Sequence, residues 1–152
     1  VLKKIGESGY LYDSSFNSFK MHNRYGKIDL SANDKEGIAL KISDTFFELP
    51  PSNLKLMDKV IPWGGGAYFR LIPYGLFRRG VHSILNKDGA YVFYMHPWEI
   101  DPAQPKVSQA SFSLKFRHYT NLNKTKTRLK SLMTSFDYCR YVTCGQYLTE
   151  ST

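Results

Sequence analysis

The chain has 152 residues and a net charge of +8, from 21 Lys and Arg against 13 Asp and Glu. Hydrophobic residues make up 42% of it and aromatic residues 15%, so the sequence can fill a core, and intrinsic disorder is excluded. The length suits one ordinary domain, so residues 1–152 are predicted to form a single unit, and the longest apolar run, residues 90–95, is far shorter than a membrane-spanning helix requires.

The first part of the chain predicts the end of a helix followed by strands. Residues 1–5 have helical spacing and carry the basic pair Lys3-Lys4, which suits a helix C-terminus, with Gly6 or Gly9 as the left-handed cap. Because one helical turn is not stable alone, we expect a further portion upstream of residue 1. The next predicted elements are a short strand at residues 10–12, a polar loop at 16–36, and two strands at 38–42 and 46–49.

The middle of the chain predicts a glycine loop, a helix and a buried strand. The glycines at residues 64–66 allow close approach of the backbone, but they match no phosphate-binding motif. A helix begins after Pro73, with an apolar stripe at Phe77, Val81 and Ile84, and ends at residues 86–89. Residues 91–95 are apolar on both faces, which is typical of a strand buried in a parallel sheet.

The last third predicts a long proline-containing loop, a helix at residues 124–135 and a final strand at 138–142. Residues 102–136 also hold seven basic side chains and no acidic one, while residues 1–101 are nearly balanced. Such a segment can attract nucleic acid or an anionic polysaccharide. The interpretation that the sequence favours is a solvated helix face with a loop. The seven residues are Lys106, Lys115, Arg117, Lys124, Lys126, Arg128 and Lys130.

His96 is the sharpest local candidate for chemistry. It follows the predicted strand at residues 91–95, and Pro97 ends that strand, so the imidazole is expected at the rim of a sheet, where α/β enzymes place catalytic groups. Histidine transfers protons near neutral pH. A structural histidine bonded to a loop carbonyl is the alternative, and position alone does not separate the two.

Other candidates have structural alternatives of the same kind. Asp13 ends a short strand and can hold an imidazole in one tautomer, or it can form an Asx turn with the serines after it. Glu48 can line a site or pair with a lysine. Tyr68 and Arg70 can present an aromatic ring and a guanidinium to a sugar or carboxylate, or close the edge of a core and bind an acid. The sequence contains no metal-binding motif and no nucleophile elbow.

Four blocks of sequence, taken together, carry a family resemblance. These are GYLYDSS at residues 9–15, GGGAYFRLIPY at 64–74, YMHPWEIDP at 94–102 and FRHYTNL at 116–122. They resemble the C-terminal part of polysaccharide deacetylases with NodB homology, in the subgroup associated with bacterial exopolysaccharide and exosortase loci. The similarity runs from about residue 9 to residue 148.

The resemblance implies an α/β fold, a distorted (β/α) barrel of which this chain is the partial, C-terminal half with long loops. In that family a divalent metal, usually zinc, is held by one aspartate and two histidines, and its bound water attacks an N-acetyl carbonyl. A second aspartate is the base, and a histidine protonates the leaving amine. His96 matches that proton donor and Asp13 the aspartate that tunes it. Tyr68, Arg70 and Trp98 are the expected contacts to substrate.

Three further blocks of the family, T-F-D-D, H-x-x-x-H and R-x-P, do not occur in this sequence, so the metal ligands and the base are expected to be missing. The expected function is therefore removal of N-acetyl groups from a polysaccharide, with this chain alone inactive and without bound zinc. The expected partners are the polysaccharide and a metal-binding N-terminal half, in the bacterial cytoplasm or cell envelope. The alternative is a non-enzymatic module that binds an anionic glycan or nucleic acid through residues 102–136, and of these two ligands the glycan is favoured.

Overall fold

The computed structural model describes residues 2–16, 33–57 and 59–151 of the chain. Helices account for 45% and strands for 17%, so the fold is a mixed one in which helices predominate. The elements in chain order are α1 (Leu2–Glu7), β1 (Tyr12–Asp13), β2 (Lys35–Glu36), β3 (Ala39–Ser43), β4 (Phe46–Glu48), β5 (Asn53–Leu56), β6 (Lys59–Pro62), α2 (Gly66–Leu71), α3 (Tyr74–Asp88), a 3-10 helix (Pro97–Ile100), α4 (Phe112–Tyr119), α5 (Leu122–Ser135) and α6 (Cys144–Ser151).

The main sheet has four strands in the order β1-β4-β3-β2. Strands β3 and β4 form an antiparallel hairpin, and β1 adds to β4 in parallel, so that Asp13 lies opposite Glu48. All three residues of β4 are buried, because this strand lies between two others and its side chains pack on α1 and α6. The two strands predicted at residues 38–42 and 46–49 are confirmed.

The largest core cluster lies between α3 and α5. The residues Phe77, Val81 and Ile84 recur at helical spacing along one face of α3 and meet Leu132 and Phe136 from α5 and its end. Helix α3 begins directly after Pro73 and ends at Gly89, whose φ of 73° is left-handed. Both predicted helices, after Pro73 and at residues 124–135, are confirmed.

The strand predicted at residues 91–95 is wrong. This segment forms one parallel bridge, between Tyr94 and Gly65, and the side chain of Tyr94 is 52% exposed. The ladder stops there because the neighbouring backbone turns into α2 at Gly66. Tyr91 and Phe93 pack instead on the core between α3 and α5, where Phe93 makes an edge contact with Phe69 at 5.3 Å, and Val92 packs on the cluster beside β4.

The strand predicted at residues 138–142 is also wrong, because that segment is irregular and mostly exposed. Its Tyr141 hydroxyl bonds to backbone carbonyls at the end of α5. Elements that the sequence did not predict are β2, the β5-β6 hairpin, α2, the 3-10 helix, α4 and α6. The predicted loop at residues 16–36 lies largely outside the described residues.

The described residues close no barrel. Among them, no helix has the length and the apolar composition that crossing a membrane requires.

Gly80 provides a test of the core packing, because a Cβ atom there would overlap the indole of Trp63. The indole cannot move aside easily, since its Nε1 donates to the carbonyl of Phe77 at 2.9 Å and its ring stacks on Phe77. We expect Gly80→Ala to lower the free energy of unfolding by about 1–3 kcal/mol.

The matched control is Gly75→Ala on the same helix, where no atom lies within 4 Å of the new Cβ. It should leave stability unchanged or raise it by up to about 1 kcal/mol. Urea unfolding of both variants measures the difference. Equal stability of the two variants would contradict this packing.

Candidate functional site

A buried ion pair organises the part of the molecule that carries the candidate site. Arg70 on α2 and Glu99 in the 3-10 helix have side chains that are 1% and 3% exposed, and Arg70 Nε donates to Glu99 Oε1 at 3.1 Å. The other carboxylate oxygen, Oε2, accepts a hydrogen bond from the backbone N–H of His96 at 2.9 Å. Both carboxylate oxygens of Glu99 therefore accept hydrogen bonds, one from Arg70 on α2 and one from His96, the residue just before the 3-10 helix.

Arg70 also binds the end of α4. Its Nη1 donates to the carbonyls of His118 and Thr120, each at 2.9 Å. The carbonyl of Arg70 in turn accepts from Asn121 and from Arg128, both at 2.8 Å. The ion pair thus joins the three sequence blocks at residues 64–74, 94–102 and 116–122 at one point.

The Arg70–Glu99 pair is possible because the backbone at Gly66 lies very close to the Glu99 carboxylate. A Cβ atom at Gly66 would overlap the carboxylate of Glu99, so only glycine allows this carboxylate to sit against the start of α2. This is the close approach that the sequence predicted for the glycines, although Gly66 belongs to a helix and not to a loop.

Above the ion pair, aromatic rings form a stack. Trp98 lies between His96 and His118, with ring centroids 5.6 and 4.1 Å away and interplanar angles of 16° and 14°. The guanidinium carbon of Arg70 is 5.4 Å from the same indole. The faces of Trp98 are therefore largely covered, which leaves the ring edge for any ligand.

The imidazole of His96 is exposed at one end of this stack. The Tyr94 hydroxyl lies 2.7 Å from its Nε2, and the backbone N–H of His96 is held by Glu99. At the other end, His118 Nε2 lies 2.8 Å from Gln104 Oε1, an atom that only accepts, so this nitrogen carries the proton. His96 is thus an accessible imidazole with a fixed backbone and an adjacent hydroxyl.

The predicted substrate contacts differ in their surroundings. Tyr68 is half-buried on α2, and Trp98 is half-buried in the stack. Arg70 is buried and bonded to Glu99, so it has the surroundings of the structural alternative, in which it closes a core edge and binds an acid.

Asp13 lies in a second group of side chains, at the carboxyl ends of the parallel strands β1 and β4. It accepts a hydrogen bond from the Ser15 hydroxyl, as the Asx-turn alternative expects, and it lies in register with Glu48. No hydrogen bond among the described residues joins Asp13 to His96, so the two candidate catalytic residues belong to separate groups.

Glu48 is fully buried. Its Oε1 accepts from the backbone N–H of Phe16 at 2.8 Å, while its Oε2 accepts no hydrogen bond from the described residues. Burial raises the pKa of Glu48 to about 7, and the neighbouring Asp13 carboxylate adds to this rise, while the Phe16 N–H opposes it. As an acid, Glu48 can donate a hydrogen bond to Asp13.

Part of the basic segment at residues 102–136 has internal partners. Arg128 donates to carbonyls at the end of α2, and Lys115 donates to the carbonyl of Ser108 at 2.7 Å. The side chains of Lys124, Lys126 and Lys130 on α5 are exposed. The segment is therefore partly structural and partly a solvated helix face.

Within the ranges that the structure describes, the site has no set of side chains placed to hold a metal. Zinc in proteins is usually bound by three or four ligands from His, Cys, Asp and Glu. The described part of the chain contains no group of three or more such residues that is placed to hold a metal ion. Its side chains therefore do not fit the zinc site of the deacetylases.

Sequence reasoning missed Glu99, His118 and Gln104 as members of this site. Glu99 follows His96 by three residues, the spacing of a capping box, and this is the signal that could have found it. The stacking of His118 on Trp98 has no local signal, because it depends on where α4 ends.

One comparison with known proteins gave a match. A protein-family model described as "Domain of unknown function (DUF3473)" matches residues 14–146. No curated protein and no solved structure matches the chain.

Because the Arg70–Glu99 pair is buried, we predict that Glu99→Gln strongly lowers the stability of the fold. The amide can accept one of the two hydrogen bonds that the carboxylate accepts, and it leaves the buried guanidinium without a counter-charge. We expect the free energy of unfolding to fall by about 3–5 kcal/mol, measured by urea denaturation.

The control is Glu150→Gln, which removes the carboxylate of the exposed ion pair with Arg140. It should cost no more than about 1 kcal/mol. A similar small loss in both variants would mean that the buried pair does not hold the site together.

Glu48 predicts a pH dependence of stability. The folded chain keeps the Glu48 proton up to about pH 7, whereas an unfolded chain releases it near the ordinary value of 4.5. Stability should therefore fall as the pH rises from about 4.5 to about 7, and Glu48→Gln should remove this fall, gaining about 3 kcal/mol on the wild type between pH 4 and pH 8.

Asp13→Asn separates the two causes of the raised pKa, because it removes the neighbouring charge and leaves the burial of Glu48. It should flatten the pH dependence only in part. Thermal unfolding at a series of pH values measures all three proteins, and identical pH profiles of the wild type and Glu48→Gln would contradict the assignment.

Proposed function

Because the chain belongs to the DUF3473 family, which is associated with polysaccharide deacetylases, we propose that it is the proton-donor part of a polysaccharide N-deacetylase. We also propose that its fold is the C-terminal part of a distorted (β/α) barrel. The observation that carries it is the convergence of three sequence blocks on the backbone of His96 through Arg70 and Glu99.

The proposed role of His96 is to protonate the leaving amine. Attack of water on the N-acetyl carbonyl gives a tetrahedral intermediate, and the C–N bond breaks as the nitrogen takes a proton from the imidazole, so that acetate and a free amine leave. A general acid must be accessible and held within hydrogen-bond reach of the leaving group. The exposed ring of His96 meets the first condition. The Tyr94 hydroxyl lies 2.7 Å from its Nε2 and 3.2 Å from its Nδ1, so in this proposal the leaving group takes the place of that hydroxyl.

Arg70 and Glu99 act in this proposal as positioning residues. They are buried, so they do not reach a polysaccharide, but they fix the backbone position from which His96 projects. Tyr68 and the edge of Trp98 are the proposed contacts to the sugar. Asp13 is a candidate catalytic carboxylate in its own group with Glu48.

In this proposal, the group that activates the attacking water is not among the residues of this chain. In deacetylases of the resembled family zinc provides it, and the sequence blocks that bind zinc are not present in these 152 residues. The proposal therefore needs a metal-binding partner segment, in the same polypeptide or in another.

The test uses the natural polypeptide that contains this chain, assayed for acetate release from an N-acetylated glycan oligomer. We expect chelator-sensitive activity, and His96→Gln should lower kcat by about 10²–10⁴-fold, the range of general acid catalysis. Because the His96 side chain is exposed, the thermal unfolding of the variant should match the wild type.

Lys87→Gln, in the exposed last turn of α3, is the control and should keep full activity. The isolated 152-residue chain should release no acetate. Full activity of His96→Gln, or turnover by the isolated chain, would overturn the proposal.

A further inference from the structure

A cleft of about 390 Å³ lies between α3 and the end of α5. Arg78, Arg79 and His82 line it from α3, and Ser135, Phe136 and Tyr138 line it from the other side. The Arg70–Glu99 pair is at the opposite end of α5, next to Asn121. Since α5 has 14 residues, with a rise of 1.5 Å per residue in any α-helix, the two places are separated by roughly 20 Å.

The two arginines of the cleft have no acidic partner in the described part of the chain. Both side chains are exposed, and none of the ion pairs formed among the described residues includes either of them. Guanidinium groups present planar sets of donors that match a carboxylate or a phosphate through two parallel hydrogen bonds. Two adjacent arginines on one wall therefore favour an oxyanion as the occupant.

His82 adds a donor of fixed position to the same wall. Its Nδ1 lies 3.1 Å from Asn86 Nδ2, and in the tautomer in which Nδ1 accepts from that amide, the ring proton is on Nε2. The Nε2–H is then available for an acceptor. On the other wall, the Ser135 hydroxyl lies 3.1 Å from the hydroxyl of Tyr74 at the start of α3, and Tyr138 is 69% exposed.

Two carbonyls at this end of α5 already accept hydrogen bonds, which leaves the exposed Asp137 as the nearby group that would repel an anion. Carbonyls at a helix C-terminus carry partial negative charge, but the Tyr141 hydroxyl reaches those of Met133 and Phe136 at 3.1 and 3.2 Å. The backbone N–H of Cys139 also donates to Phe136. Asp137 lies in the turn that follows α5, is exposed, and forms no ion pair with the cleft arginines in the described part of the chain.

We propose that this cleft binds the oxyanion of an acidic sugar, with Arg78 and Arg79 as its principal ligands. The carboxylate of a uronic acid and the phosphate of a sugar phosphate share the chemistry that these side chains recognise. The neighbouring rings of Phe136 and Tyr138, 6.0 Å apart, form an apolar wall for the body of the sugar. This site is separate from the His96 site and stands whether or not the chain belongs to a deacetylase.

The experiment titrates the 152-residue chain with three probes at about 0.15 M salt, where the Debye length is about 8 Å, and follows binding by NMR and calorimetry. The probes are a galacturonic acid trimer, glucose 6-phosphate and a neutral galactose trimer. The acidic probes should bind and shift the resonances of His82 and Tyr138, and the neutral one should not. Binding of the trimer or of the phosphate identifies which oxyanion the cleft takes.

Two double variants with the same loss of charge separate a site from diffuse attraction. Arg78→Gln with Arg79→Gln should weaken binding of the acidic probe by about tenfold or more, because it removes the charge-assisted hydrogen bonds to the oxyanion, which are stronger than those between neutral groups. Lys124→Gln with Lys126→Gln, at the other end of α5, should change it less than about twofold, since long-range attraction alone is screened by salt.

Equal weakening by the two double variants would overturn the proposal, because it would assign binding to overall charge. Failure of both acidic probes to bind would also overturn it. Tighter binding of a single-stranded oligonucleotide to the same cleft would replace the acidic sugar by a nucleic acid. All four substituted side chains are exposed, so circular dichroism should show unchanged folding in every variant.

Discussion

The buried ion pair between Arg70 and Glu99 is the interaction on which the rest of this structure depends. Two charges with exposures of 1% and 3% would be costly without partners, since removing an ion from water costs several kcal/mol. Here the surrounding backbone supplies those partners. Arg70 reaches two carbonyls at the end of α4 and beyond it, and Glu99 accepts the N–H of His96. The pair is therefore stable only when three distant segments are in place.

This requirement explains several residues that otherwise have no evident reason. Gly66 is needed because any side chain would occupy the position of the Glu99 carboxylate. Asn121 and Arg128 are needed because the carbonyl of Arg70 lies at the end of α2 and has no helical partner. Three of the four blocks by which the sequence resembles deacetylases are thus also the blocks that a single ion pair requires, which connects this part of the pattern to a physical cause.

The sequence predicts elements whose signal is local. Helix α3 follows from the spacing of Phe77, Val81 and Ile84, and its ends follow from Pro73 and Gly89. The segment at residues 91–95 departs from the predicted strand because apolar content indicates burial but not the hydrogen-bonding partner. Tyr91 shows the difference, since its ring packs in the core while its hydroxyl donates to the carbonyl of Trp63 at 2.7 Å.

The candidate site is only partly predictable for the same reason. His96 is identified by its position before a proline, which is local information. The role of Glu99 depends on an arginine 29 residues earlier, and no pattern in the sequence encodes that distance. Helix α4 has no sequence signal because Phe112 and Phe116, which are 84% and 54% exposed, do not form the buried stripe by which helices are recognised.

The two buried glutamates, Glu99 and Glu48, have different roles because their surroundings differ. Glu99 meets a guanidinium and two ordered segments, so its carboxylate fixes the geometry around His96. Glu48 meets one N–H and a second carboxyl group, and its pKa rises to about 7. The end of the sheet at Asp13 and Glu48 can therefore gain or lose a proton near neutral pH, and no hydrogen bond among the described residues joins either of these side chains to Arg70 or Glu99. In a deacetylase this would separate the group that positions the proton donor from the group that responds to pH.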